Sequence, residues 1–296
     1  MPNPIPDLHA LFVTHTHHRI ARSLLAMQSQ HLSPASITVG CDSDDPRIQP
    51  EIQRVADTLN REIHLVLRPR NEAASRSQNR NNAVRALIER GVENSANLVF
   101  YDGDCIACPI SNEAHSKALQ TGGLSLGWAV MLSEDQTLSL TDDQVLQGNT
   151  GSVLEPAQHR ACSVAHRQCR KRIFLKKLRL TKPHKPGILS GNFAISLSTF
   201  RNINGFDESF TGWGMEDDDL ARRAYLKNTR PVSSMNESIV FHQYHATERP
   251  KRWSDSPNAH RLLEPALARC EFGLDHPAPQ SNPITTIVAP KHLVGA

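Results

Sequence analysis

The sequence predicts an α/β fold built on an open, doubly wound sheet, mixed but mostly parallel and flanked by helices. Three observations carry this. Short apolar runs and amphipathic helical stretches alternate through the first hundred residues in the order β-α-β-α-β-α-β. The fourth apolar run, residues 98–101, is apolar at every position, the pattern of a strand buried on both faces in the middle of a parallel sheet. A chain of 296 residues with 39% hydrophobic side chains is also long enough to bury one large core.

Residues 11–14 read as the first strand, and 20–30 as a helix with Ile20, Leu24 and Leu25 inward. A second strand at 36–40 precedes a helix over 48–59, whose face is Ile48, Ile52, Val55, Ala56 and Leu59. A third strand at 63–67 leads to a helix over 79–90, with Val84, Leu87 and Ile88 inward and Gly91 just past its end. Beyond Pro109 the alternation loosens. A helix over 111–119 is stopped by Gly122 and Gly123, and 126–132 reads as a strand. A polar loop follows at 134–151, then a basic helical segment over 153–180, ending near Pro183 and Pro186. Residues 188–197 and 239–241 read as further strands, and Pro and polar residues from 276 onward predict a loosely packed tail. The expected organisation is one domain over 1–275, with the tail at 276–296.

Thirty-three Lys and Arg against 30 Asp and Glu give a formal charge of +3, which by itself selects no partner. Its distribution is uneven: no acid stands between Glu155 and Asp207, where basic residues crowd. No apolar run approaches the roughly 18–20 residues of a membrane span. The opening MPNPIPDLHA lacks both the basic and the apolar regions of a signal peptide, which predicts a cytoplasmic protein with its six cysteines reduced. Cys105 and Cys108 have zinc-like spacing, but no second pair matches them, so they read as two small, partly buried thiols.

Three stretches carry chemistry. Asp102-Gly103-Asp104 follows the buried strand directly, at the strand end where ligands bind in such sheets. Two adjacent carboxylates repel unless a cation lies between them, which suits Mn2+ or Mg2+ beside a phosphate-bearing substrate, and Gly103 lets that ligand approach closely. In the second stretch, Gly212-Trp213-Gly214 presents an aromatic platform fit to stack on a sugar, ahead of Glu216, Asp217, Asp218 and Asp219. These four acids open a helix whose dipole stabilises their charge, and a carboxylate so placed can act as general base toward a hydroxyl. Third, Phe241-His242-Gln243-Tyr244-His245 ends a strand with imidazoles able to join carboxylates on a divalent ion, Mn2+ above Mg2+.

Together these pieces resemble GT-A-fold, nucleotide-sugar-dependent glycosyltransferases, the family 2 enzymes and a galactosyltransferase-type block, from about residue 11 to 245. LFVTHTHHR is similar to the family's opening strand and turn, with Thr16 and Arg19 in place but His15 where a proline is usual. The resemblance implies that VGCDSDDP contacts the base and ribose of UDP through Asp42 and Asp44, and that Asn79 and Arg80 of QNRNNAVRAL lie beside the nucleotide. YDGDC corresponds to the family's DxD, with Asp104 the direct metal ligand and Asp102 beside metal and nucleotide. The stretch from Leu189 to Tyr225, containing Asn192 and GWGMEDDD, is similar to the acceptor-side block almost throughout. By that resemblance Asp217 is the catalytic base, Glu216 orients the acceptor, and Trp213, Gly214 and Asn192 contact it. His242 completes the metal site, with His245 as the alternative ligand.

The implied halves are a nucleotide-sugar half over about 8–110 and an acceptor half over about 111–250. The implied reaction is a single inverting displacement from a UDP-sugar to a hydroxyl of a glycan or lipid-linked acceptor, in surface polysaccharide synthesis. The acid at Asp217 favours inversion, since retaining relatives commonly carry an amide there. Two other classes compete. A sugar-phosphate nucleotidyltransferase would need a Gly-rich basic loop after the first strand, where this chain has THTHHR. An inactive glycan- or lipid-binding protein would not need Asp102, Asp104, Asp217 and His242 together. The histidines of THTHH read as pocket or surface residues rather than a metal cluster. The basic stretch over 160–185 has three readings: a solvated or lid-like face, a contact with an anionic membrane surface, or a contact with an anionic polymer. No nucleic-acid reader motif accompanies it, so nucleic acid is not expected as a partner.

Overall fold

The computed structural model describes residues 6–69, 75–212, 214–246, 255–265, 267–279 and 282–293. In chain order the elements are β1 (Leu8–Thr14), α1 (Ile20–Leu25), β2 (Ser36–Asp42), α2 (Ile48–Leu59), β3 (Ile63–Arg68), α3 (Arg76–Glu89), β4 (Asn97–Asp102), β5 (Cys105–Ala107), α4 (Ser111–Thr121), β6 (Leu124–Leu126), β7 (Trp128–Met131), α5 (Glu134–Ser139), α6 (Asp142–Leu146), α7 (Pro156–Lys177), β8 (Asn192–Ser196), α8 (Leu197–Asn202), α9 (Glu216–Leu226), β9 (Pro231–Ser233), β10 (Ile239–His242) and β11 (Ile284–Val288). The main sheet has the order β11-β3-β2-β1-β4-β8-β6-β9, and a small second sheet has the order β5-β10-β7.

β1 to β4 run parallel, in the order the sequence predicts, with Thr14 opposite Cys41 and Val13 opposite Asp102. Their carboxyl ends therefore share one edge, where Thr14, Asp42 and Asp102 stand side by side. Successive residues of β4 point to opposite layers. Val99 and Tyr101 join Phe12, Val39 and Leu65 on one side. Leu98 and Phe100 join Leu11, Phe193 and Phe206 on the other, with Phe100 stacked on Phe193 at 4.8 Å. β4 is thus buried on both faces, as its unbroken apolar run requires.

Several expected elements differ from those observed. The helix read over 20–30 stops at Leu25, and Gln30 beyond it turns in to donate to the Cys108 carbonyl. The helix read over 79–90 starts earlier, at Arg76, where the Ser75 hydroxyl caps it by accepting from the Gln78 amide. The strand read over 126–132 is two strands in different sheets. At Gly127 a side chain would meet Asn192 at 2.4 Å, so the chain bends there and leaves β8 to join β10. The polar loop read over 134–151 contains α5 and α6. Each is started by a reciprocal capping box, Ser133 with Gln136 and Thr141 with Gln144, a spacing visible in the sequence. Of the strand read over 188–197, only Asn192–Ser196 pairs.

The expectation of a loosely packed tail from 276 is corrected by β11. It pairs antiparallel with β3 along its whole length, and its Ile-Thr-Thr-Ile-Val run is the β-branched composition of a strand. Among the described residues, all six cysteines are buried free thiols, and no helix is long and apolar enough to cross a membrane.

Candidate active site

The parallel strand ends open into a cleft of about 990 Å³ lined by residues from β1, β2, α3, β4 and β10. After β1, the Thr14 hydroxyl donates to the Thr16 carbonyl at 2.7 Å, and Arg19 takes a left-handed backbone (φ 69°), turning the chain over the cleft. α3 lies close under β2: a side chain at Gly40 would sit 2.6 Å from Asn79 Oδ1. Asn79 Nδ2 donates to the carbonyls of Thr14 and Gly40, tying the ends of β1 and β2 together. The polar run Asn79 to Asn82 is buried, because this helix positions the site rather than filling the core.

Arg80 is the hub of the site. Fully buried, it donates to Asp102 at 2.9 Å, lies 3.4 Å from Glu216, and stacks its guanidinium over Phe206. Burial works against its charge, but Asp102 and Glu216 more than offset that and hold it firmly protonated. One arginine therefore joins the end of β4 to the start of α9. Asp42 is ion-paired to the buried Arg68. Arg19 Nε, Asp42 Oδ1, Asn79 Oδ1, Arg80 Nε and His242 Nδ1 are buried polar atoms without a partner among the described residues, and all five residues line the cleft. Unsatisfied groups gathered at one place mark a site built for a polar ligand.

The metal-type donors meet through strand pairing. β10 runs antiparallel to β5 with His242 opposite Cys105, which sets Asp104 beside the imidazoles. His245 Nε2 lies 2.9 Å and His242 Nε2 3.4 Å from Asp104 Oδ2, and the two rings stack at 5.3 Å. Burial opposes ionisation of Asp104, but the His245 hydrogen bond and both imidazoles outweigh it and keep the carboxyl below its ordinary range. Asp104, Cys105 and His242 form a cluster whose ligand atoms lie within 4.8 Å of one another. Burial pushes the Cys105 thiol far up, so it stays protonated and is a poor ligand for a hard ion. One carboxylate and two imidazoles, open to a cleft that also holds Asp102, fit Mn2+ well.

The acid block opens α9. Positive φ at Gly212 (72°), Gly214 (96°) and Met215 (78°) makes the sharp turn into that helix, which accounts for the glycines. Trp213, the expected sugar platform, lies outside the described residues. Three of the four acids are neutralised. Glu216 faces Arg80, Asp218 is held by Lys185 at 3.0 Å, and Asp219 binds Arg222 and Arg223. Asp217 has no cation within ion-pair distance among the described residues. Burial, then Glu216 and Asp218 beside it, push its carboxyl up to about 7.

Thr16, Arg19, Asp42, Asn79, Arg80, Asp102, Asp104, His242 and His245 all line the one cleft. Gly214, Glu216 and Asp217 lie at the start of α9 and are not among the cleft's lining residues, and neither are Asp44 and Asn192. Asp44 points away as an exposed residue, while Asp45, held by His17 at 2.7 Å and by Arg47, lines the cleft in its place. Asn192 is fully buried and spent inside the fold, donating to the Trp128 and Ser238 carbonyls and bonding His115 at 2.8 Å, so it cannot meet an acceptor. Gly214 lies beside α9, with its carbonyl bound by Asn258. The cleft also holds Asp45, Arg47 and Arg76, which the sequence reading passed over. The acidic run after β2 signals Asp45, whereas no local pattern signals Arg76.

This arrangement is that of the GT-A fold, and residues 171–250, which hold the acid block and the His242–His245 pair, match the family model described as the N-terminal domain of galactosyltransferase. Among curated relatives, the chain is 35% identical to beta-1,4-galactosyltransferase 6 of Mus musculus over 77 residues, 25% of this chain and 20% of that protein. It is 40% identical to beta-1,4-galactosyltransferase 4 of Homo sapiens over 60 residues, 19% of this chain and 17% of that one. The match thus spans about one fifth of the length of these relatives. Among solved structures, GalNAc-T7 with UDP, GalNAc and Mn2+ superposes with a TM-score of 0.58 at 13% identity, over 88% of this chain and 48% of that one. TarS residues 1–349 of S. aureus with UDP-GlcNAc gives 0.56 at 12% identity, over 91% of this chain and 68% of that one.

Proposed function

We propose that the chain is a metal-dependent, inverting glycosyltransferase that moves a hexose or N-acetylhexosamine from a UDP-sugar to a hydroxyl of a glycan or lipid-linked acceptor. The observation that carries this is the joining of two sites by Arg80: a cleft with a carboxylate–imidazole cluster and unsatisfied polar atoms on one side, and an unneutralised acid at the start of α9 on the other. The galactosyltransferase-type segment supports the reaction class, and the UDP, UDP-sugar and Mn2+ named in the structural neighbours support the donor.

In this reading the strand-end half binds the nucleotide, with Thr16, Arg19, Asp42, Asn79 and Arg80 around it. Asp104, His242 and His245 would hold Mn2+, or Mg2+, with Asp102 alongside. When bound, the ion supplies charge neutralisation for the departing diphosphate. Asp217, about half ionised around pH 7, accepts in its carboxylate form the proton of the acceptor hydroxyl as that oxygen bonds to the anomeric carbon. The bond from that carbon to UDP breaks with its electron pair leaving on UDP, so the configuration inverts. A base whose pKa lies near the working pH combines availability with driving force. Arg80 holds Glu216, which orients the acceptor, and so couples donor to acceptor. We place the enzyme in the cytoplasm, in surface polysaccharide synthesis. The test is UDP release with UDP-galactose, UDP-N-acetylgalactosamine, UDP-glucose and UDP-N-acetylglucosamine, with Mn2+ present. Release from one or more of them supports the reading, and release from none removes it.

A further inference from the structure

We propose that the outward face of α7, together with the turn that follows it, docks on an anionic lipid bilayer. The proposal deepens the functional reading toward a lipid-linked acceptor and rests on it in that respect alone; the docking stands on the surface itself. α7 is 22 residues long and turns one narrow stripe inward, with Cys162, Ala165 and Cys169 buried and Ile173 packed behind them. At about 100° per residue, the opposite stripe carries Arg160, Val164, Arg167, Lys171, Phe174 and Leu178. Phe174 is 61% exposed, Leu178 52% and Leu180 67%.

A solvated surface has no use for three large exposed apolar side chains within the seven residues that end α7 and open the turn after it, and it ordinarily mixes charge signs. This face has one sign only. Ten Lys and Arg stand between Arg160 and Lys185, and no acid occurs from residue 156 to 206. Basic residues interleaved with bulky apolar ones are the pattern of an interfacial surface, where cations meet anionic head groups and apolar tips enter the acyl boundary. A nucleic acid or an anionic polysaccharide would complement the charges but leave Phe174, Leu178 and Leu180 in water. A bilayer accommodates both.

The patch is also fixed in relation to the site. Lys176 Nζ sits 3.9 Å over the Tyr225 ring, the Tyr225 hydroxyl donates to the Pro186 carbonyl at 2.6 Å, and Lys185 holds Asp218. The end of α7 is thereby tied to α9, the helix that carries Asp217. Docking would bring the acid block to the bilayer surface, where a lipid-linked hydroxyl would be presented.

The test is co-sedimentation of the full chain with phosphatidylcholine vesicles, with and without phosphatidylglycerol. Retention is expected on the anionic vesicles alone and falls as salt is raised. F174S/L178S/L180S lowers the partition coefficient at least about tenfold, as does R167E/K171E, with thermal melting unchanged in both. Equal, low retention on both vesicle types overturns the proposal. So does wild-type binding by both variants, or retention on a polyanion such as heparin with none on vesicles. Docking without transfer from any donor would leave this proposal standing and remove the functional reading, and transfer without docking would do the reverse.

Discussion

Replacing Asp217 by Asn separates catalysis from stability in a way that few other substitutions here would. The folded chain holds the Asp217 proton up to about pH 7, whereas an ordinary aspartate loses it near 3.8. The native state therefore binds more protons than the unfolded state across that window, so stability falls as pH rises through it. At about 1.36 kcal/mol per pH unit, the cost above pH 7 is at most about 4 kcal/mol. Solvent at this half-buried carboxyl and the neighbouring acids reduce it to about 1–2 kcal/mol. Asp217→Asn removes that cost. Its melting temperature should exceed the wild type's at pH 8 by about 2–4 °C for each kcal/mol, and the difference should vanish near pH 4. Transfer should fall by about 10²- to 10⁴-fold, with UDP binding kept. Turnover unchanged from wild type would refute the role of Asp217, and a melting difference equal at both pH values would refute the assigned ionisation. The assays are differential scanning calorimetry at the two pH values and UDP release at saturating donor.

Three further outcomes follow from the same geometry. His242→Ala and His245→Ala should each weaken Mn2+-dependent UDP binding, measured by calorimetry, while leaving the fold intact, because both imidazoles converge on Asp104. Arg80→Met should leave Asp102 and Glu216 uncompensated beside a buried apolar side chain, and chemical denaturation should show a loss of about 3–5 kcal/mol. Lys185→Met should free the Asp218 charge beside Asp217 and raise the Asp217 pKa further. The base form is then reached only at higher pH, so the acid limb of the kcat/KM profile should move to more alkaline pH.

The central sheet was legible because its signal is local: four apolar runs at regular spacing, the last apolar throughout. Thr16, Arg19, Asp42, Asp102 and Asp104, which the structure brings to one cleft, were legible for the same reason, since they follow closely on those runs. What could not be read depends on contacts between distant segments. Asn192 lies inside a stretch that resembles an acceptor block, but its amide is consumed by Trp128, Ser238 and His115, which only the folded chain brings together. Asp44 and Asp45 are neighbours of one type, and His17, from the end of another strand, is what holds Asp45 into the cleft. The ionic link from Asp102 through Arg80 to Glu216 spans 136 residues between its last two members and leaves no trace in spacing. By contrast, the capping boxes of α5 and α6 and the β-branched run of β11 were present in the sequence and outweighed by their polar surroundings.

Titration of UDP into the protein with and without Mn2+ tests the central claim, a nucleotide-sugar site completed by a divalent ion, most directly. The account predicts measurable UDP binding that requires Mn2+ and is lost in Asp104→Asn. UDP binding of equal strength without metal, or none in its presence, would contradict it.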